Sequence, residues 1–199
     1  RFPMAMSPRL LRPLASGFNP RQIAGLALWL DAADESTVSH ASGTVSSWAD
    51  KVSGSLYTPL SGDEPLTGSS SLNGKNVLTF DGTDDRLNGP SPTPGATPRS
   101  VFVVAADKGS QTFGAMVDLG SGGTSYASYS ITREPAIRIT GAAFSVGPTP
   151  ISSTGSIVTS TCDGEFNTAT LAINGSEYGG FVNSNQTLVT DSTMMIGSR

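Results

Sequence analysis

Two dipeptides in GSIVTSTCDGEFNTATLAINGSEYG (155–179), Asp163-Gly164 and Asn174-Gly175, restrict the fold more than any other feature of the chain. Asn or Asp before Gly favours the positive φ of tight turns, and a helix does not continue through such a step. Each follows a short run rich in Val, Ile and Thr, so the block reads as strand 157–162, turn, strand 168–173, turn. The same grammar recurs elsewhere. Val77-Leu-Thr-Phe80 runs into Asp81-Gly82, and SVFVVAAD (100–107) reads as a buried strand. GAMVDLG (114–120), YSITRE (129–134), AIRIT (136–140) and the closing TMMIGSR continue the series. Short strands punctuated by turns predict an all-β, antiparallel β-sandwich.

The sequence before and between these strands is less regular. Residues 1–18 carry three prolines and no helical or strand period, which predicts an extended arm. Asn19-Pro20 has the form of an N-cap and first helical position, predicting one turn through Ile23. Leu26–Leu30 then reads as a first strand, buried on both sides, and 51–74 as loop. The expected domain is residues 19–199.

Charge separates arm from body. The arm and its join hold Arg1, Arg9, Arg12 and Arg21 with no acid, leaving eight basic against sixteen acidic side chains in the rest. An acidic body argues against a nucleic-acid partner, because phosphate contacts need clustered Lys and Arg. No apolar run approaches the ~18 residues of a membrane span, and no signal peptide is legible at the N-terminus. Cys162 is the single cysteine, so no intrachain disulfide forms, and it reads as a small buried residue at a strand end.

The pieces LALWLDAADEST, WADKVSG, LNGKNVLTFDGTDDRL, SVFVVAAD and the 155–179 hairpins ending in MMIGSR resemble the concanavalin A-like lectin/glucanase superfamily, in its laminin-G-like branch. The resemblance covers roughly residues 19–199 and implies a jelly-roll sandwich of two curved sheets. The opening MSPRLLRPLASGFNPRQIAGLALWLDA resembles proteins of tailed bacteriophages, where such domains serve as capsid decoration or as tail, fibre and adhesion parts. Members of the branch usually continue past this point with a further strand and a short helix, whereas the chain stops at Arg199. The expectation is a sandwich lacking that strand and helix, with a neighbouring chain supplying the strand.

Catalysis finds little support. The Glu-x-Asp-x-x-Glu strand of retaining glucanases is missing, and Glu64, Glu134, Glu165 and Glu177 are scattered. His40 is the sole histidine and there is no Gly-x-Ser-x-Gly elbow, so the expectation is a non-enzyme. Calcium is the candidate metal. Asp81, Asp84 and Asp85 crowd three carboxylates into five residues, either to hold that hard cation or to shape the Asp-Gly turn and pair with Arg86. Asp31, Asp34 and Asp50 form a second trio. For a glycan ligand the candidates are Tyr126, Tyr129, Asn174 and Tyr178, with Tyr57 a further one. The two tryptophans each lead into an Asp, Trp29-Leu-Asp31 and Trp48-Ala-Asp50, and are read as fold anchors.

The expectation is therefore a virion-surface component docking on other virion subunits, either copies of itself or a capsid or tail protein. Phe2, Leu10, Leu11, Leu14 and Phe18 of the arm would fill pockets while Arg9 and Arg12 meet acidic surface. The alternative is a carbohydrate-binding module of a secreted or cell-surface protein.

Overall fold

The computed structural model describes residues 18–92, 98–107, 115–119, 129–132, 136–139, 142–146, 151–163, 168–182 and 193–198. The arm residues Phe2, Arg9, Leu10, Leu11, Arg12 and Leu14, and Tyr126, lie outside them. Fifteen strands run in chain order: β1 (Val38–Ala41), β2 (Thr44–Ala49), β3 (Leu56–Tyr57), β4 (Ser71–Leu72), β5 (Lys75–Asn76), β6 (Leu87–Pro90), β7 (Arg99–Ala105), β8 (Ala115–Leu119), β9 (Tyr129–Thr132), β10 (Ala136–Ile139), β11 (Ala142–Val146), β12 (Ser156–Cys162), β13 (Thr168–Ile173), β14 (Ser176–Val182) and β15 (Thr193–Ser198). Every described strand pair is antiparallel. A six-stranded sheet, β11-β10-β9-β8-β15-β6, faces a four-stranded one, β14-β13-β12-β7, and β1-β2-β3 forms a small third sheet. The predicted all-β sandwich is what the chain adopts. Among the described residues no helix is long and apolar enough to cross a membrane.

The core joins these layers. Leu87, Val117, Leu119, Ile131, Met194 and Ile196 come from the six-stranded sheet, and Val158, Cys162, Ala169 and Leu171 from the four-stranded one. Val45 and Tyr57 of the small sheet complete the cluster. Fully burying a side chain such as Leu171 or Ile131 contributes about 1.5–3 kcal/mol. The period-two alternation is plain in β12, where Ser156, Val158, Ser160 and Cys162 turn inward and Ile157 outward.

The turns follow the residue types. Asn174 and Gly175 both take positive φ, 50° and 82°, as a two-residue type I′ hairpin needs. Two further hairpins that the sequence reading passed over use the same device, Ser42-Gly43 between β1 and β2 and Asn73-Gly74 between β4 and β5. His40 therefore sits in a strand rather than a loop, and 51–74 contains β3 and β4 rather than loop alone.

Other expectations met their limits here. The Asn19–Pro20 start is as predicted: Asn19 Oδ1 accepts the Arg21 N–H at 3.0 Å and a single 3-10 turn spans Pro20–Gln22. Leu26–Leu30, however, joins no sheet. Its backbone is extended, but Trp29 N–H donates to the Asp50 carboxylate (2.8 Å) and the Trp29 carbonyl accepts from Lys51 N (2.9 Å), so a loop takes the bonds a strand would use. Its residues are half-buried rather than enclosed on both sides. Val77–Phe80 is likewise extended without a ladder, held by one reciprocal bridge between Thr79 and Leu66. And β7 is buried on one face only, with Phe102 65% and Val104 64% exposed on the other.

Candidate functional site

Residues 81–85 link Phe80, which packs on the core, to the buried Leu87 of β6. Both ends of this loop are thus anchored while its middle stands at the rim. Gly82 at φ 78° lets the chain reverse, and Asp81 Oδ1 accepts the N–H groups of Thr83 (2.7 Å), Asp84 (3.3 Å) and Asp85 (3.4 Å). Asp85 Oδ2 returns the gesture, accepting Asp81 N–H at 2.7 Å. The carboxylates of Asp81, Asp84 and Asp85 each present an oxygen, all within 4.8 Å of one another.

The loop places unlike electrostatic demands on its acids. The Thr83 N–H, with those of Asp84 and Asp85, holds the Asp81 carboxyl below the usual carboxylate range. Burial pushes Asp85 up, and the charges of Asp81, Asp84 and Asp63 push it further in the same direction. Arg86 does not relieve this crowding as expected: its guanidinium pairs with Asp63 at 2.8 Å. Two oxygens on one calcium ion lie at most ~5 Å apart, twice the 2.3–2.6 Å bond length, so the trio fits that cation's span. The turn-shaping bonds are also there, so each acid already has a structural task.

The second trio is organised differently. Lys51 Nζ lies 3.1 Å from Asp31 and 2.7 Å from Asp34, and 4.1 Å from the centre of the Trp29 ring. A lysine thus occupies the place a cation would take. Asp34 is held low chiefly by its bond from Lys51, and Lys51 is raised chiefly by Asp34. Asp50 turns away and receives N–H bonds from Trp29, Val52 and Ser53 and the Ser53 hydroxyl. Burial opposes its charge, but these bonds outweigh burial and hold the carboxyl below the usual range. Trp48 is half-buried in β2, opposite Val38 and Tyr57. Both tryptophans serve the fold in this arrangement; Lys51, the residue that ties Trp29 to its acids, follows Trp48-Ala-Asp50 directly in sequence.

The glycan candidates are not brought together by anything described. Tyr129 contributes backbone to β9, and Tyr178 is exposed on β14. Asn174 is engaged within the fold, its Oδ1 accepting Ile157 N–H at 2.9 Å. Tyr57 is excluded as a stacking platform, being 1% exposed with its hydroxyl donating to the Pro90 carbonyl. Burial, with the Asp50 charge, pushes that phenol up to about 12. Phe18, the one arm candidate within the described residues, is 75% exposed. Cys162 is buried at the end of β12, as predicted.

No protein-family model matches the chain, and a search of curated proteins finds no match.

Proposed function

We propose that the chain is a non-enzymatic structural or adhesion component of a virus particle, a laminin-G-like sandwich that docks through its basic arm onto capsid, tail or fibre subunits. The observation that carries the reading is the apolar stripe on the outer face of the four-stranded sheet, formed by Phe102, Val104 and Ile157. Contiguous exposed apolar surface of this kind marks contact with another protein. The lack of a catalytic role is supported by the engagement of the titratable groups. The sole histidine, His40, accepts the Gly43 N–H through Nδ1, and Asp31, Asp34, Asp50 and Asp63 bond to backbone, Lys51 or Arg86. The test is sedimentation with particles purified from cells expressing the encoding genome. The full chain should co-sediment and a version starting at Asn19 should not. A full chain left in the supernatant, or a shortened one that attaches equally well, overturns the reading.

A second reading rests on the rim loop. The spacing of Asp81, Asp84 and Asp85 favours a calcium-dependent carbohydrate-binding module of a secreted or cell-surface protein, with the ion at that loop and Tyr178 as an exposed aromatic.

A further inference from the structure

The outermost strand of the four-stranded sheet is β7, and among the described residues β12 is its one ladder partner. The ladder between them is unbroken over seven residues, from Arg99 opposite Cys162 to Ala105 opposite Ser156. A strand with no bulge keeps a regular row of N–H and C=O groups along its other edge. Folded proteins usually blunt such an edge with lysine, proline, a bulge or an inward-pointing charge. Ser100–Ala105 contains none of these. Beside the edge lies the apolar stripe, Val104 directly opposite Ile157, which is itself 50% exposed.

We propose that β7 pairs antiparallel with β7 of a second copy about a two-fold axis at Phe102, joining two four-stranded sheets into one continuous sheet. This deepens the assembly reading above and rests on it. Three features favour a second copy over an unrelated strand. Phe102 is the middle residue of β7, so the axis sets Phe102 against its own copy, Ser100 against Val104, and Val101 against Val103. Apolar side chains then meet on the outer face, and the inner row of Val101 and Val103, which packs against the core, continues across the joint. Charge agrees as well. Arg99 stands at one end of the strand and Asp107 just beyond the other, so an antiparallel copy brings unlike ends together and places no like charges opposite.

Area sets the strength. The exposed parts of Phe102, Val104 and Ile157 amount to roughly 300 Å² per copy on the scale of ~200 Å² for a whole aromatic side chain. With the backbone edges, the joint buries on the order of 1,000 Å² in total, the lower end for a specific contact. The dimer is therefore weak and concentration-dependent, with dissociation in the micromolar range.

Light scattering of the full chain from about 1 to 200 µM brackets that range. The mass should climb from 20.4 kDa toward twice that value. Val104→Lys and, separately, Phe102→Glu should stay monomeric with unchanged melting temperatures, because both positions face solvent in the monomer. Hydrogen exchange on the unaltered chain supplies a reading free of folding effects: residues 99–105 should gain protection as concentration rises while 168–173 do not. A monomer throughout, or a dimer that both variants retain, overturns self-pairing. Neither result touches the arm-dependent co-sedimentation, which tests docking on a different protein.

Discussion

Asp50 shows how one side chain can hold a segment that has no sheet of its own. It is 3% exposed, and its carboxylate collects the N–H groups of Trp29, Val52 and Ser53, fixing the extended Leu26–Leu30 segment against the turn that follows β2. Asp50→Ala leaves those donors without an acceptor and should cost about 2–3 kcal/mol in urea unfolding at pH 7. Asp50→Asn keeps an acceptor oxygen and should cost less. The folded carboxyl lies below its usual value, so its contribution is complete above the unfolded pKa of ~3.9 and is lost as pH falls through the folded one. The gap between the native chain and Asp50→Asn should therefore narrow from pH 7 toward pH 3. A gap that stays constant would mean that the charge has no part in it.

Among the elements, glycines separate conformational need from steric need. Gly89 lies in β6 and Gly197 in β15, strands paired to one another, and a Cβ at either would land on an aromatic ring, that of Tyr57 or Phe80. Gly197 also needs its φ of 74°, whereas Gly175 needs φ 82° with open space around it. Gly89→Ala and Gly197→Ala should each destabilise by about 1–3 kcal/mol or more through overpacking, and Gly175→Ala by only about 1 kcal/mol, the conformational term alone. Thermal melts of the three variants check the order; equal losses would show that the rings move aside at little cost. The Asn174-Gly175 turn was readable because both its residue types and its flanking strands pointed the same way. Ser42-Gly43 has equivalent geometry, but the polar surroundings of His40 hid it, since an exposed two-stranded hairpin has little apolar pattern to display.

At the scale of the whole molecule, the crowded acids at the rim couple local charge to global stability. Asp85 is raised by burial and by its acidic neighbours, so its charged form opposes folding at neutral pH. On the calcium reading, millimolar calcium should raise the melting temperature by several degrees, since a ligand that binds only the folded chain stabilises it by mass action. Asp85→Asn, which retains an acceptor for Asp81 N–H, should remove most of that response. No shift with calcium or with chelator would leave Asp81, Asp84 and Asp85 as turn-formers. What the sequence determined by itself was the all-β antiparallel plan, the 155–182 hairpins and the crowding of acids after Phe80, because turn chemistry and period-two patterning are local and survive without tertiary context. Only the tertiary structure decided that Lys51 fills the space between Asp31 and Asp34, that Arg86 pairs with Asp63, and that Tyr57 is a core residue. It also decided that β7 covers one face and bares the other. SVFVVAAD reads as apolar on both sides, and whether a neighbour covers each side depends on strand order, which is set by contacts between residues far apart in the chain.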